Sequence, residues 1–407
     1  MQKDSPMLAL RCFPPTLVAC ALALAGCGET PPALSTVEAL GAALFEDPAL
    51  SLNRNQSCAT CHDPDRAFTD GRTDAEGRVR AVSLGDDERS LGDRNAPTVS
   101  YAAFGPRFVL EDQRQRFNNH GRFRRYEGPR GGFFWDGRAD TLADQAKGPP
   151  LNPIEMGMVD EASVVARLRA NPDYAEAFPA LFEGFDWDDP IAAYDAMGFA
   201  IEAFERTPEV SPFDARYDRS LRGEETLSFL ELTGKSLFFS EFTSCAICHQ
   251  LHGDGDPVRR FEETFTGYEF HNLGAPANQE VRSLTGVTVD DGLAAETGDP
   301  DHLGLHKVPT LRNVAVTGPF MHNGVFRELE TVVRFYLRFI DPEGNGDNPE
   351  TGQPWRAPEH PSTVAEDLLR AGRPLSDLEV EAIVCFMRTL TDRRYEGLLE
   401  PRPSCED

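Results

Sequence analysis

The chain is short of positive charge. Its 407 residues carry 40 Lys and Arg against 67 Asp and Glu, a formal net charge of −27. Nucleic acid and anionic membrane surfaces are thereby disfavoured as partners, because phosphate binding needs clustered cations. A basic protein partner would suit this charge, though acidity alone identifies none. Strand signals are few and short, which points away from a β architecture. Tryptophan is scarce, with three residues in the chain. No histidine occurs between His62 and His120. The apolar run near the N-terminus is too short, and too close to a processing site, to span a membrane.

What is present is enough for two domains of ordinary size. Hydrophobic residues make up 40% of the chain, which supports a packed core, and 31 Pro with 34 Gly imply much loop. The stretch MLALRCFPPTLVACALALAGC, ending at Cys27, reads as a secretory signal with Met7 as a plausible start. Leu24-Ala25-Gly26-Cys27 falls where the apolar run ends and resembles a bacterial lipobox. The expectation is a lipoprotein signal over 1–27, lipidation of Cys27, a tether over 28–36, and a periplasmic protein that meets the membrane only through its lipid. More than one acyl chain is what stable anchoring needs. The plainer alternative is a soluble secreted protein.

Nine cysteines are present, three of them (Cys12, Cys20, Cys27) in the leader. Four others form two C-x-x-C-H motifs, Cys58-Cys61-His62 and Cys245-Cys248-His249. Two thiols one helical turn apart can add to the two vinyl groups of one haem, and the next histidine then sits under the iron. A zinc site or a redox dithiol would not explain the histidine in both motifs. Two covalent c-type haems are therefore expected. Cys385 and Cys405 remain and could pair in an oxidising compartment, which spacing cannot show.

Each haem needs its own helical shell. Pro208, Pro212 and the run RTPEVSPFDARYDRS interrupt helical patterning between the motifs, placing a boundary near 212. The first c-haem domain is expected over 37–212 and the second over 213–407. ETLSFLELTGKSLFFS reads as an amphipathic helix with Leu230, Gly234 and Leu237 on one side. SDLEVEAIVCFMRTLTD opens on a capping box, Ser376 with Glu379. ELETVVRFYLRFI (328–340) is helical in spacing, with Val332, Tyr336, Phe339 and Ile340 on one face. The fold class is mainly α: two cytochrome c-type haem domains with long loops and little strand.

Five blocks in order, CATCHDPDRAFTDGR, RNAPTVSYAAF, FFWDGRADTLADQAKGPPLNPIEMG, GKSLFFSEFTSCAICH and KVPTLRNVAVTGPFMHNGVFRELETVVRFY, resemble the bacterial di-haem cytochrome c peroxidases and their relatives of the MauG type. The resemblance covers nearly the whole mature chain. It implies a first haem that reacts with hydrogen peroxide and a second that passes electrons or shares oxidising equivalents. It assigns Glu155 as the pocket acid–base group, a role that burial would favour by raising its pKa. Gln145 becomes a pocket amide, and Trp135 a redox bridge between the haems. A calcium ion is implied at Asn95, Thr317 and Pro319, the last two through backbone oxygens, a donor set that suits this hard cation.

Two departures select a branch. Many relatives carry a second histidine soon after the first motif, capping that haem; the matching position here is Arg78. The first haem should therefore have an open coordination position. His120 lies in an insertion and reads as a loop residue. At the position of the far ligand of the second haem, usually methionine, stands Tyr336, as in MauG-type enzymes; Met321 does not match that position. Phenolate ligation favours ferric and higher-valent iron and lowers the potential. The Arg-rich insertion 107–132 is not explained by the family and reads by default as a solvated loop. Three functions follow in order: a MauG-like oxidase acting on a protein or other donor, a peroxidase drawing electrons from a small redox protein, and a non-catalytic electron-transfer protein.

Overall fold

Thr36 begins the first helix, Val37–Glu46, its hydroxyl accepting from the Ala39 N–H at 3.1 Å. The helix buries Leu40, Gly41, Leu44 and Phe45 against the helix Pro190–Glu205. Gly41 is there for close approach: a Cβ on it would lie 1.8 Å from the Ala200 carbonyl oxygen and 3.0 Å from Phe204 Cβ. Between these helices come the turn Cys58–Cys61, a long loop, and the helices Leu142–Ala146, Glu161–Ala170 and Pro172–Leu181. Their apolar faces merge into one cluster running from Leu40 to Val210 and centred on Phe45, Phe68, Phe178 and Phe204. Each fully buried side chain of this kind contributes about 1.5–3 kcal/mol.

The second half repeats the device. Helix Phe229–Phe238 opens on a capping box, Ser228 with Glu231, and helix Asp377–Arg388 on another, Ser376 with Glu379. They cross at Gly234, where a Cβ would lie 1.7 Å from the Ala382 oxygen and 2.9 Å from Phe386 Cβ. The same glycine–alanine–phenylalanine contact thus closes both halves. The apolar cluster around it runs from Tyr217 to Cys405, while the first ends at Val210. Cys385 and Cys405 form a disulfide, pinning the C-terminal tail to the last helix. Arg312, fully buried, forms a bidentate pair with Asp218 at 2.5 and 2.9 Å.

In this computed structural model, residues 34–118, 121–251 and 262–406 are described. Cys27, the leader, most of the tether and His120 lie outside them. The described chain is mostly helical, in line with the sequence. The insertion differs from expectation: it is not a loop but an antiparallel hairpin of two ten-residue strands, Val109–Asn118 and Gly121–Arg130. Its base is tied down by Gly131 N–H donating to Tyr268 O at 2.9 Å and by a bridge from Arg130 to Glu269. Backbone pairing thus extends a segment whose composition gave no alternating apolar signal. No described helix is long and apolar enough to cross a membrane.

Candidate active site

The first motif sits on a single helical turn. Ser57 N–H donates to Thr60 Oγ1 at 2.9 Å, and Cys58, Cys61 and His62 face a cavity of about 360 Å³. His62 Nδ1 lies 3.2 Å from the Phe68 carbonyl, the geometry in which Nδ1–H donates and Nε2 keeps its lone pair. Burial pushes the imidazole pKa down, so the ring is neutral and fit to ligate iron. Burial also pushes the Cys58 thiol up to about 12 and Cys61 up to about 11. A thioether, which carries no ionisable proton, suits such a site. Arg72, paired with Asp70 at 2.6 Å, also donates to Cys61 Sγ at 3.2 Å.

Glu155, Gln145 and Trp135 line the same cavity. Asn152 Nδ2 donates to Glu155 Oε1 at 2.9 Å and orients the carboxyl. Burial raises the Glu155 pKa, and the Arg138 guanidinium opposes the shift. Asn95, Thr317 and Pro319 also meet here. Asn95 Nδ2 donates to Ala81 O at 3.1 Å, which leaves its Oδ1 free of that bond. The backbone oxygen of Asn95 accepts from Trp135 Nε1 at 2.8 Å, so the indole is held by the same residue. Among the described residues lining this cavity, His62 is the one histidine.

Cys245, Cys248 and His249 line a second cavity of about 230 Å³. His249 Nδ1 lies 2.9 Å from Phe265 O, matching the first motif, and burial pushes its pKa down to about 4. Tyr336, near the end of helix Leu329–Leu337, faces this cavity. Among the described residues its hydroxyl has no hydrogen-bond partner. Burial, then the Cys248 and Cys245 thiols, pushes the phenol pKa up; a bound ferric iron would reverse that. Val332 and Ile340 share the cavity wall with Tyr336, but Phe339 does not. The helix ends at Leu337, and Phe339 packs edge-on against Phe335 instead.

Trp135, Lys307, Phe320 and Met321 line both cavities and so form part of their common wall. The sequence did not single out Lys307, whose ammonium donates to Gly132 O and whose N–H donates to Trp135 O at 2.9 Å. Nor did it single out Arg138, although that residue closes the FFWDGR block; its guanidinium sits 3.5 Å over the Phe134 ring. Glu205 was likewise missed: it lines the first cavity at 2% exposure, and Oε2 has no partner. Asp290, His306 and His322 cluster on the second cavity, with Arg94 already bidentate on Asp290 at 2.6 and 2.7 Å. Only packing could have revealed these.

The model for the family "Di-haem cytochrome c peroxidase" matches residues 35–226. The chain is 48% identical over 402 residues to the methylamine utilization protein MauG of Paracoccus denitrificans, covering 97% of this chain and 98% of that protein. It is 33% identical over 306 residues to the cytochrome c peroxidase Ccp of Escherichia coli, covering 74% of this chain and 53% of that protein. Among solved structures, the diheme peroxidase BthA of Burkholderia thailandensis superposes with a TM-score of 0.75 at 31% identity, covering 90% of this chain and 89% of that one. With two motif-bearing cavities side by side and relatives of this kind along nearly its whole length, the chain belongs to the di-haem cytochrome c peroxidase family and is a di-haem peroxidase or oxidase.

Proposed function

We propose that the protein is a MauG-like periplasmic oxidase: it reacts with hydrogen peroxide at an open first haem and oxidises a protein or other donor through a second haem ligated by His249 and Tyr336. The observation that carries this reading is Tyr336, whose unpartnered hydroxyl faces the cavity of the second motif. The absence of a second histidine among the described residues around the first cavity supports the open site. A haem held there by Cys58, Cys61 and His62 would supply the iron chemistry with which peroxide reacts. Glu155, its proton affinity raised by burial and its carboxyl aimed by Asn152, takes a proton from the near peroxide oxygen and returns it to the far one. Gln145 would supply an amide to orient the incoming peroxide. Trp135, in the shared wall, is the station between haems, and a calcium ion at Asn95, Thr317 and Pro319 would stiffen its mount through the Asn95 carbonyl. Anchoring through lipidated Cys27 completes the proposal.

Adding peroxide to the diferric protein is the test. A long-lived spectral change involving both haems is expected. Rapid peroxide turnover with a reduced small cytochrome, and no long-lived species, would favour the peroxidase reading that the likeness to the Escherichia coli enzyme also permits. No spectral change would leave an electron-transfer protein.

A further inference from the structure

Tyr101 lines the first cavity but not the second. Its ring is 1% exposed. Its hydroxyl donates to Asp392 Oδ1 at 2.6 Å, and Asp392 is fully buried. The other carboxylate oxygen accepts from Asn313 Nδ2 at 2.8 Å, and Asn313 Oδ1 accepts from Asp392 N–H at 2.8 Å, so the carboxylate is clamped. Phe213 N–H donates to the tyrosine oxygen at 3.1 Å. A phenol hydrogen-bonded to a fixed buried base, on the wall of an oxidising cavity, has the parts of a proton-coupled redox site.

Resting on the proposed peroxide chemistry, we infer that Tyr101 is a second outlet for oxidising equivalents from the first haem, separate from Trp135, with Asp392 as its proton acceptor. One electron leaves the phenol for the haem that peroxide has oxidised. The O–H bond breaks, and its proton passes to Asp392 Oδ1. The products are a neutral tyrosyl radical, still accepting from Phe213 N–H, and a carboxylic acid that now donates back to it. An electron from a donor, with the same proton, restores the pair. Burial holds the phenol well above its ordinary pKa, so it does not ionise beforehand. Burial also raises Asp392 to about 6, making it a stronger base than most carboxylates while leaving it largely ionised at pH 7.5. The charged groups facing the pair are Arg312, 5.2 Å from the Tyr101 ring, and its carboxylate partner Asp218, with Asp214 also acting on Asp392. Because Asp218 is the bidentate partner of Arg312, Asp392 remains available to the phenol. Burial keeps small reductants in solution off the ring, so the radical should live long enough to be trapped by freezing until a donor's electron reaches it.

The test is freeze-quench electron paramagnetic resonance on the holoprotein after peroxide, with the haem absorption spectrum taken on the same samples. The expected result is an organic radical whose signal narrows with ring-deuterated tyrosine and is lost in Tyr101→Phe. Asp392→Asn, which keeps an acceptor for the hydroxyl but no base, should lose most of it. If Tyr101→Phe does not accumulate, 3,5-difluorotyrosine placed at 101 should add fluorine splitting. A tyrosine signal undiminished in Tyr101→Phe, unsplit by fluorine, or absent from a wild type whose haems have responded to peroxide would overturn the inference. Haems that do not respond at all would overturn the proposed function and this inference with it.

Discussion

Substituting Gly234 with alanine should unseat the second haem pocket. The new Cβ would stand 1.7 Å from the Ala382 carbonyl oxygen, and real Cβ contacts are essentially never under 3.0 Å, so helices Phe229–Phe238 and Asp377–Arg388 must part by about 1.3 Å. The obstacle is backbone, flanked by Phe386 Cβ at 2.9 Å, and no rotamer change relieves it. Overpacking costs about 1–3 kcal/mol, and the upper end applies here. For a unit of 150–250 residues each kcal/mol moves Tm by roughly 2–4 °C, so a fall of about 6–12 °C is expected. Thermal unfolding of the holoprotein followed by circular dichroism would measure it. Phe238, Ile383 and Met387 line the second cavity, so the spectrum of that haem should change while the first stays put. Gly41→Ala, at 1.8 Å from Ala200 O, should do the reverse. Gly397→Ala is the control: its Cβ meets nothing within 4 Å, and the change should stay within about 0.5 kcal/mol. A Gly234→Ala protein as stable as the Gly397→Ala control would refute the close-crossing argument.

Tyr336→Phe should abolish the phenolate-to-ferric absorption of the second haem and raise its midpoint potential; an unchanged ferric spectrum, or His/Met ligation in the wild type, would sink the assignment. Glu155→Gln should slow the reaction with peroxide by about 10²–10⁴-fold in stopped flow, with both haems retained. Replacing Cys245 and Cys248 together with alanine should halve the covalent haem measured as pyridine haemochrome. Burial raises the Glu205 pKa from the ordinary 4.5 to about 8, so the folded state keeps a proton that the unfolded chain has lost. Stability therefore falls as pH rises from about 4.5 to about 8 and levels off above, with a slope of at most about 1.4 kcal/mol per pH unit. Glu205→Gln should flatten that slope in denaturant titrations across this range.

Much of the site was legible before any fold was known, because covalent haem chemistry demands fixed spacing. The helix cap at Ser376 is local too, and the helix begins where that cap places it. The face of the 328–340 segment was only partly legible: periodicity grouped Phe339 with Tyr336, but the helix stops at Leu337 and the ideal phase is lost. The 109–130 hairpin was not legible, since its pairing comes from backbone hydrogen bonds and from an anchor on residues 268–269, remote in sequence.

By itself, then, the sequence determined where the two C-x-x-C-H motifs lie, that the chain is mainly helical, and which residues in the matched blocks were worth following. Those follow from contacts between residues a few positions apart, where geometry is dictated by the chain. Only the tertiary structure decided that Trp135 stands in the wall of both cavities, that Asn152 orients Glu155 while Arg138 opposes the rise in its pKa, that Cys385 meets Cys405, and that Tyr101 reaches Asp392 across 291 positions of sequence. These depend on burial and on approach between distant segments, and no local pattern encodes the solvent exclusion that gives a buried carboxyl or phenol its altered proton affinity.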